Sequence, residues 1–205
     1  MDVLMLKPVF KDAIWGGKLL SDFGYKEAGD SAGECWGISA HKNGDCTVMN
    51  GEFAGKTLSW CWENHRELFG NMEGDVFPLL IKILGAEDDL SIQVHPDDAM
   101  AHKYGFPNGK NEMWYVVDVA PGAHIISGFS SQITPEEYEA SVADDTIMTL
   151  FKDHDVKAGD CFFIPAGRVH SIGAGSFVIE IQQACDITYR IYDFNRRDAN
   201  GNKRE

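Results

Sequence analysis

The sequence predicts a mainly β protein, a sandwich or barrel of short strands with few helices. Eight segments are short, rich in β-branched or aromatic residues and bounded by turn residues; they cover residues 34–40, 78–84, 90–94, 112–119, 124–129, 161–165, 177–182 and 188–192. Many short strands without long helices between them favour a sandwich or barrel over an alternating βαβ fold.

Helical signals are confined to four stretches, residues 57–69, 96–104, 134–142 and 144–150. The first two each stop before a glycine, which is the residue most often found just beyond a helix end. The third opens with a capping box formed by Thr134 and Glu137. The helices are therefore expected to be short and peripheral to the strands.

The net charge, the N-terminal segment and the cysteine spacing indicate which classes of protein are not expected. The chain has 205 residues with 18 Lys and Arg against 32 Asp and Glu, a formal net charge of -14. A surface of that sign repels phosphate backbones, so we expect no nucleic acid partner. The sequence shows neither a long apolar run for a membrane span nor a secretory signal. The five cysteines form no CxxC pair, which is typical of reduced thiols and predicts a cytoplasmic protein.

Residues 90–96 predict half of a metal site. Alternate side chains of a strand share a face, so the apolar residues of this segment point one way. Gln93 and His95 then project together on the other face, two residues apart. The same pattern also fits the polar outer face of a half-exposed strand, and this segment alone leaves both interpretations open.

A second candidate group lies at the start of the strand predicted over 112–119. Glu112 opens this strand, Trp114 shares its face, and Lys110 is in phase two residues earlier. A Glu beside a Lys near a strand start is also typical of a solvated surface pair.

Residues 159–171 carry the most specific motif. They predict a strand, a tight Pro-x-Gly turn at 165–167, and a returning strand that carries His170. The spacing G-x5-P-x-G-x2-H resembles the second conserved motif of cupins, in which the histidine binds the metal. This resemblance implies a cupin-type jelly-roll barrel with a metal ion in its mouth, held by Gln93, His95, Glu112 and His170.

The donor types restrict the metal without fixing it. Two imidazoles and a carboxylate suit zinc, with bonds of roughly 2.0–2.2 Å. The same two-histidine, one-carboxylate core also suits non-haem iron.

Residues 186–192 suggest how an anionic substrate could be held. Thr188, Arg190 and Tyr192 are predicted to share one face of a strand. An arginine can hold a phosphate through a bidentate fork. The alternative is an arginine on an outward-facing surface.

Eight blocks of the sequence, taken in order, match one enzyme family. They are residues 7–10, 14–17, 33–39, 77–82, 90–98, 110–116, 159–171 and 186–193. Together they resemble the type I mannose-6-phosphate isomerases in their short bacterial form, over essentially the whole chain from Lys7 to Arg204.

The resemblance implies an aldose-ketose isomerase that interconverts mannose 6-phosphate and fructose 6-phosphate through an enediolate, with one Zn2+ per chain. It carries Arg190, Lys110 and Asp186 over as catalytic residues. Lys110 is the first candidate for the base, if burial near zinc and Lys82 lowers its pKa. Asp186 would assist ring opening or orient Arg190, which would stabilise the enediolate or bind phosphate.

The resemblance also implies a substrate pocket and a domain division. Lys82, Trp15 and Trp114 are expected to bind the small-molecule sugar phosphate. Residues 1–193 are expected to form the catalytic domain, including its N-terminal strands and helices. Residues 194–205 are expected to be a charged tail or linker toward a C-terminal β domain that this chain lacks.

Two other functions stay open at this stage. An iron cupin dioxygenase would use His95, Glu112 and His170, but it leaves Gln93 and the basic residues unexplained. A non-catalytic sugar-binding cupin is the second alternative. Metal analysis combined with an isomerase assay separates all three.

Overall fold

The computed structural model describes residues 3–197 and 200–204. The strands are β1 (Leu6–Lys7), β2 (Val9–Asp12), β3 (Ala32–His41), β4 (Gly44–Asp45), β5 (Thr47–Val48), β6 (Leu79–Ala86), β7 (Ile92–Val94), β8 (Glu112–Val119), β9 (His124–Phe129), β10 (Phe151–Asp155), β11 (Cys161–Ile164), β12 (His170–Ile172), β13 (Ser176–Gln183) and β14 (Tyr189–Tyr192). The helices are α1 (Leu19–Asp22), α2 (Leu58–Asn64), α3 (Asp98–Lys103) and α4 (Pro135–Ala143). The prediction of a mainly β fold with short helices is confirmed.

Two antiparallel sheets form the body of the protein. The larger has the strand order β11-β8-β13-β6-β3-β2, with β4 paired to β3, and the smaller has the order β10-β9-β12-β7-β14. Strands β1 and β5 pair separately. Two packed antiparallel sheets with short connections are the architecture of a jelly roll.

The main hydrophobic core lies between the two sheets. Val116 and Val178 of the larger sheet pack with Ile125 and Ile172 of the smaller one, around the buried Trp114. Burying an aliphatic side chain of this size contributes roughly 1.5–3 kcal/mol relative to leaving it exposed. The inward-facing apolar set therefore fixes which face of each strand is left for polar side chains.

Strand register places the predicted site residues next to one another. His170 on β12 pairs with Gln93 on β7, and Arg190 on β14 pairs with Gln93 from the other side. Glu112 lies in the larger sheet, where it opens β8 opposite Gln182 and Ile164. The site is thus built across both sheets, at the ends of their strands.

The helix predicted over 57–69 is wrong in its length. Thr57 caps α2 through its side chain, as expected, but α2 ends at Asn64. His65 leaves the helical region (φ -137°, ψ 58°), and the chain continues as a 3₁₀ turn, Arg66–Phe69. Gly70 then stops this turn in the left-handed conformation, where glycine carries no Cβ penalty. The capping box of Thr134 and Glu137 is present.

A bulge in β14 corrects the predicted alternation of residues 188–192. The pairing with β7 shifts between Arg190 and Tyr192. Such a shift breaks the period of two, so residues on either side of it no longer share a face. Tyr192 packs with Ile191 against a separate apolar cluster around Ile92, while Thr188 and Arg190 stay on the polar side.

The described residues beyond 193 return to the barrel. Arg204 Nε lies 3.0 Å from Oδ2 of the fully buried Asp193. The predicted domain division at residue 193 stays a prediction. Within residues 3–197 and 200–204, no helix has both the length and the apolar character needed to cross a membrane.

Gly109 lets the loop before β8 pack against the start of α3. A Cβ at this position would lie 2.4 Å from the carbonyl carbon of Asp97 and 2.7 Å from the carbonyl oxygen of Pro96. Both are backbone atoms, and Lys110 N donates to the same Pro96 oxygen at 2.9 Å. Close approach of these two segments therefore depends on glycine.

We expect Gly109→Ala to destabilise the protein by about 1–3 kcal/mol, the usual cost of overpacking. Urea unfolding of both proteins measures the change in the free energy of unfolding. Gly29→Ala is the control, because a Cβ there meets only Asp12 Oδ1 at 3.9 Å. Equal stability of the Gly109→Ala and Gly29→Ala proteins would contradict this account of the loop.

Candidate metal centre and active site

Three of the four predicted metal ligands form a buried cluster. His95 follows β7, Glu112 opens β8 and His170 opens β12, and each is no more than 2% exposed. One ligand atom from each residue lies within 4.8 Å of the others. The turn predicted at 165–167 is what joins two of them, because Gly167 N donates to His95 O at 2.9 Å.

The hydrogen bonds of both imidazoles fix which nitrogen carries the proton. His95 Nδ1 lies 2.8 Å from the carbonyl oxygen of Ile187, and His170 Nδ1 lies 2.8 Å from that of Arg168. Because a carbonyl oxygen only accepts, each Nδ1 carries a proton in the neutral ring. The two Nε2 atoms, 3.1 Å apart, therefore face each other with their lone pairs.

Burial keeps both imidazoles neutral near pH 7. It is the main reason that the pKa of His95 is lowered, and it lowers the pKa of His170 to about 4. Two unprotonated nitrogens in contact repel each other unless a cation lies between them. Neutral imidazoles with a donor on the far nitrogen are also the form in which histidine binds metals.

Glu112 supplies the negative charge of the cluster. Its Oε1 lies 3.3 Å from His95 Nε2 and its Oε2 lies 3.6 Å from His170 Nε2. Burial would raise the pKa of Glu112, but Lys110 Nζ, 2.6 Å from Oε1, and the two histidines hold it well below its usual range. Among the described residues, neither oxygen accepts a hydrogen bond of acceptable geometry. A buried carboxylate in this condition suits a metal ion.

Gln93 completes the predicted set. Its side-chain nitrogen lies 3.5 Å from His170 Nε2, and its Oε1 accepts from Ser91 Oγ at 3.2 Å. The two ends of an amide are assigned from their partners, and a half-turn of the group exchanges them. After that turn, Oε1 would face the cluster and Nε2 would donate to Ser91. Gln93 therefore borders the cluster of His95, Glu112 and His170, and the four side chains offer donors that fit zinc.

A polar cavity of about 190 Å³ opens beside the cluster. This is several times the roughly 30 Å³ that a water molecule occupies in the liquid, so the cavity can hold a small polar ligand. Gln93 and Lys110 join it to the metal cluster. The other charged side chains that line it are Glu34, Lys82, Glu180, Asp186, Arg190 and Arg204.

Lys82 is held by two carboxylates that the sequence interpretation missed. Its Nζ lies 3.4 Å from Glu34 Oε2 and 3.2 Å from Glu180 Oε1. Burial would lower the pKa of Lys82, but these carboxylates outweigh it and the pKa is raised. Lys82 is therefore an ammonium ion near pH 7 and not a base. A lone Glu in the apolar segment 177–182 is the signal that could have revealed Glu180.

Asp186 lies at the rim of the cavity, on the side of the β3–β4 turn. Asn43 Nδ2 donates to its Oδ2 at 2.6 Å, and His41 Nε2 lies 3.6 Å from its Oδ1. The backbone N–H of Asn43 donates to His41 Nδ1 at 3.2 Å. With Nδ1 occupied as an acceptor, the neutral ring of His41 carries its proton on Nε2, facing Asp186.

The two predicted pocket tryptophans take different positions. Trp15 lines the cavity and packs into the main core. Trp114 does not line it: its ring lies 5.4 Å from that of His170, and its Nε1 donates to Glu180 Oε2 at 2.9 Å. Trp36, which the sequence interpretation missed, lines the cavity and donates to Glu34 Oε2 at 2.5 Å.

Comparison with known proteins agrees with this geometry. The sequence profile described as phosphomannose isomerase type I, catalytic domain, matches residues 3–122. Mannose-6-phosphate isomerase ManA of Bacillus subtilis is 49% identical over 204 residues, and the alignment covers 98% of this chain and 64% of ManA. The chain thus spans less than two thirds of the length of this relative.

Solved structures show the same fold. The crystal structure of the mannose 6-phosphate isomerase from Bacillus subtilis superimposes with a TM-score of 0.93 at 45% identity, covering 98% of this chain and 65% of that one. A mannose 6-phosphate isomerase bound with zinc and yttrium superimposes with a TM-score of 0.65 at 17% identity, covering 90% and 69% of the two chains. The predicted cupin-type barrel is confirmed. The chain belongs to the type I phosphomannose isomerase family.

Proposed function

We propose that this protein is a zinc-dependent isomerase that interconverts mannose 6-phosphate and fructose 6-phosphate. One zinc ion per chain would be held by Gln93, His95, Glu112 and His170. The main observation behind the proposal is that the unprotonated Nε2 atoms of His95 and His170 lie 3.1 Å apart, beside the buried carboxylate of Glu112. The names of its relatives and the zinc bound by a distant structural neighbour support it.

The reaction requires a proton to move between two neighbouring carbons. A base removes the proton next to the carbonyl, an enediolate forms, and the proton returns to the adjacent carbon. Zinc, when bound, supplies a Lewis acid that stabilises negative charge developing on oxygen. We assign the proton transfer to Lys110, whose Nζ reaches both the cavity and the metal cluster, 3.1 Å from His95 Nε2.

The other polar groups orient the sugar and balance its charge. Asp186, which lines the cavity, would accept a hydroxyl proton during ring opening. Lys82 lines the same cavity and would offer a positive charge and hydrogen-bond donors to the sugar, since its pKa is raised. Arg190 acts on the anionic part of the substrate or of the enediolate. Trp15 provides an apolar wall. Trp114 lies outside the cavity and would support the site through its ring contact with His170 and its hydrogen bond to Glu180.

We further propose that residues 1–193 are the catalytic domain and that the protein acts in the cytoplasm. The substrate is a small sugar phosphate, and the net charge of -14 argues against a nucleic acid or membrane partner.

We expect Lys110→Ala and Arg190→Ala to lower isomerase activity of the zinc-loaded chain by about 10²–10⁴-fold, the usual contribution of a positioned base or charge. A coupled assay of fructose 6-phosphate formation measures it. Lys152→Ala is the control, because Lys152 lines a different groove on the surface. Near-native turnover in both active-site variants would contradict these assignments of Lys110 and Arg190.

The unaltered chain separates the alternative functions. Zinc binding without turnover would support a sugar-binding protein instead, and iron with oxygen uptake would support a dioxygenase.

We expect His170→Ala and Glu112→Ala to weaken zinc binding by more than about 100-fold, because loss of an outer partner alone typically costs about 10–100-fold. Competition with a chelating dye measures the affinity, independently of activity. His154→Ala serves as the control, since His154 lies in a different surface groove. Unchanged zinc affinity in both ligand variants would refute the ligand assignment.

A further inference from the structure

We propose that Arg204 binds the phosphoryl group of the substrate, beside Arg190. The inference deepens the proposed function, on which it rests for the identity of the sugar phosphate. The sequence pattern assigned Arg204 only to a charged tail, yet its side chain lines the same cavity as Gln93 and Lys110.

A bridge between two described residues positions Arg204 at the cavity. Arg197 and Lys203 form an isolated antiparallel bridge, and Arg197 Nη1 donates to Gly201 O at 2.7 Å. Gly201 has a φ of +82°, a conformation that favours glycine. The bridge sets Lys203 beside Arg197, and Arg204 next to it contacts Asp193, directly after β14.

The buried carboxylate of Asp193 holds the guanidinium of Arg204 in place. It is fully buried, and its Oδ2 lies 3.0 Å from Arg204 Nε while Arg196 contacts its Oδ1. The side chain of Arg204 is 21% exposed. An arginine that meets a carboxylate through Nε keeps further N–H donors on its Nη atoms. Arg204 is therefore fixed in place with donors still available for a ligand.

The charges around the cavity leave two arginines for an anion. Lys82 contacts Glu34 and Glu180, and Lys110 contacts Glu112. Among the described residues, the Arg190 side chain has no hydrogen-bond or ion-pair partner, and one carboxylate, Asp193, serves both Arg196 and Arg204. The two lysines are thus paired with carboxylates of the site, whereas Arg190 is not, and Arg204 shares Asp193 with Arg196.

The proximity of Arg190 and Arg204 indicates an anionic ligand. Both arginines line the same cavity, where burial and then the charge of Arg204 lower the pKa of Arg190, while Asp193 raises it. A phosphate dianion relieves the repulsion between the two cations and offers acceptor oxygens to two guanidinium forks. In a protein with a net charge of -14, such a cation pair is also what an anionic substrate needs in order to enter.

The test is the binding of inorganic phosphate to the metal-free 205-residue chain, measured by calorimetry. We expect Arg204→Gln to raise the phosphate Kd by about tenfold or more, since hydrogen bonds to a charged group are lost. Arg196→Gln is the matched control, because Arg196 also contacts Asp193 but does not line the cavity and pairs with Asp88. It should change the Kd by less than about twofold.

Arg204→Lys provides a second variant that keeps the charge, should Arg204→Gln fail to fold. It is expected to bind phosphate more weakly than the unaltered chain, because an ammonium lacks the bidentate fork. Phosphate affinity that is unchanged in the Arg204 variants, or lowered equally by Arg196→Gln, would overturn the assignment. Phosphate binding to the metal-free chain requires no catalysis. A failure of the Arg204 assignment can therefore be distinguished from a failure of the proposed isomerase activity.

Discussion

The structure depends on one arrangement: two neutral imidazoles that point their Nε2 lone pairs at the same spot beside a buried carboxylate. Backbone carbonyls of Ile187 and Arg168 fix the orientation of both rings through Nδ1. Without a metal ion this arrangement is unfavourable, because the two lone pairs face each other and Lys110 alone balances the buried carboxylate. A metal ion removes both penalties at once, so metal binding and the packing of the strand ends are expected to be coupled.

Around this centre, carboxylates sort the basic residues into different roles. Glu112 contacts Lys110, while Glu34 and Glu180 keep Lys82, which lines the same cavity, protonated. Arg190 has no such partner among the described residues. The cavity is therefore lined by a lysine next to the candidate metal centre and by two arginines, to which we assign proton transfer and anion binding in our proposal. This division of charge suits a substrate that carries a carbonyl at one end and a phosphate at the other.

Three of the four candidate metal ligands could be predicted from local patterns: strand alternation for Gln93 and His95, and the Pro-x-Gly turn for His170. The family resemblance added Glu112. Other features depend on contacts between distant segments. The pairing of Lys82 with Glu34 and Glu180 needs three neighbouring strands in register, and the return of Arg204 needs the buried Asp193. The displacement of Tyr192 follows from a bulge that strand alternation could not predict.

The coordination of the bound metal tests the central claim most directly. X-ray absorption of the zinc-loaded chain should show nitrogen and oxygen ligands at about 2.0–2.2 Å, including the scattering typical of imidazole. The chain also holds five cysteines, whose thiolates would bind zinc at about 2.3 Å. Nitrogen and oxygen ligation with two imidazoles is the predicted result. Sulfur ligation, or a spectrum without imidazole, would contradict the assignment of the metal centre.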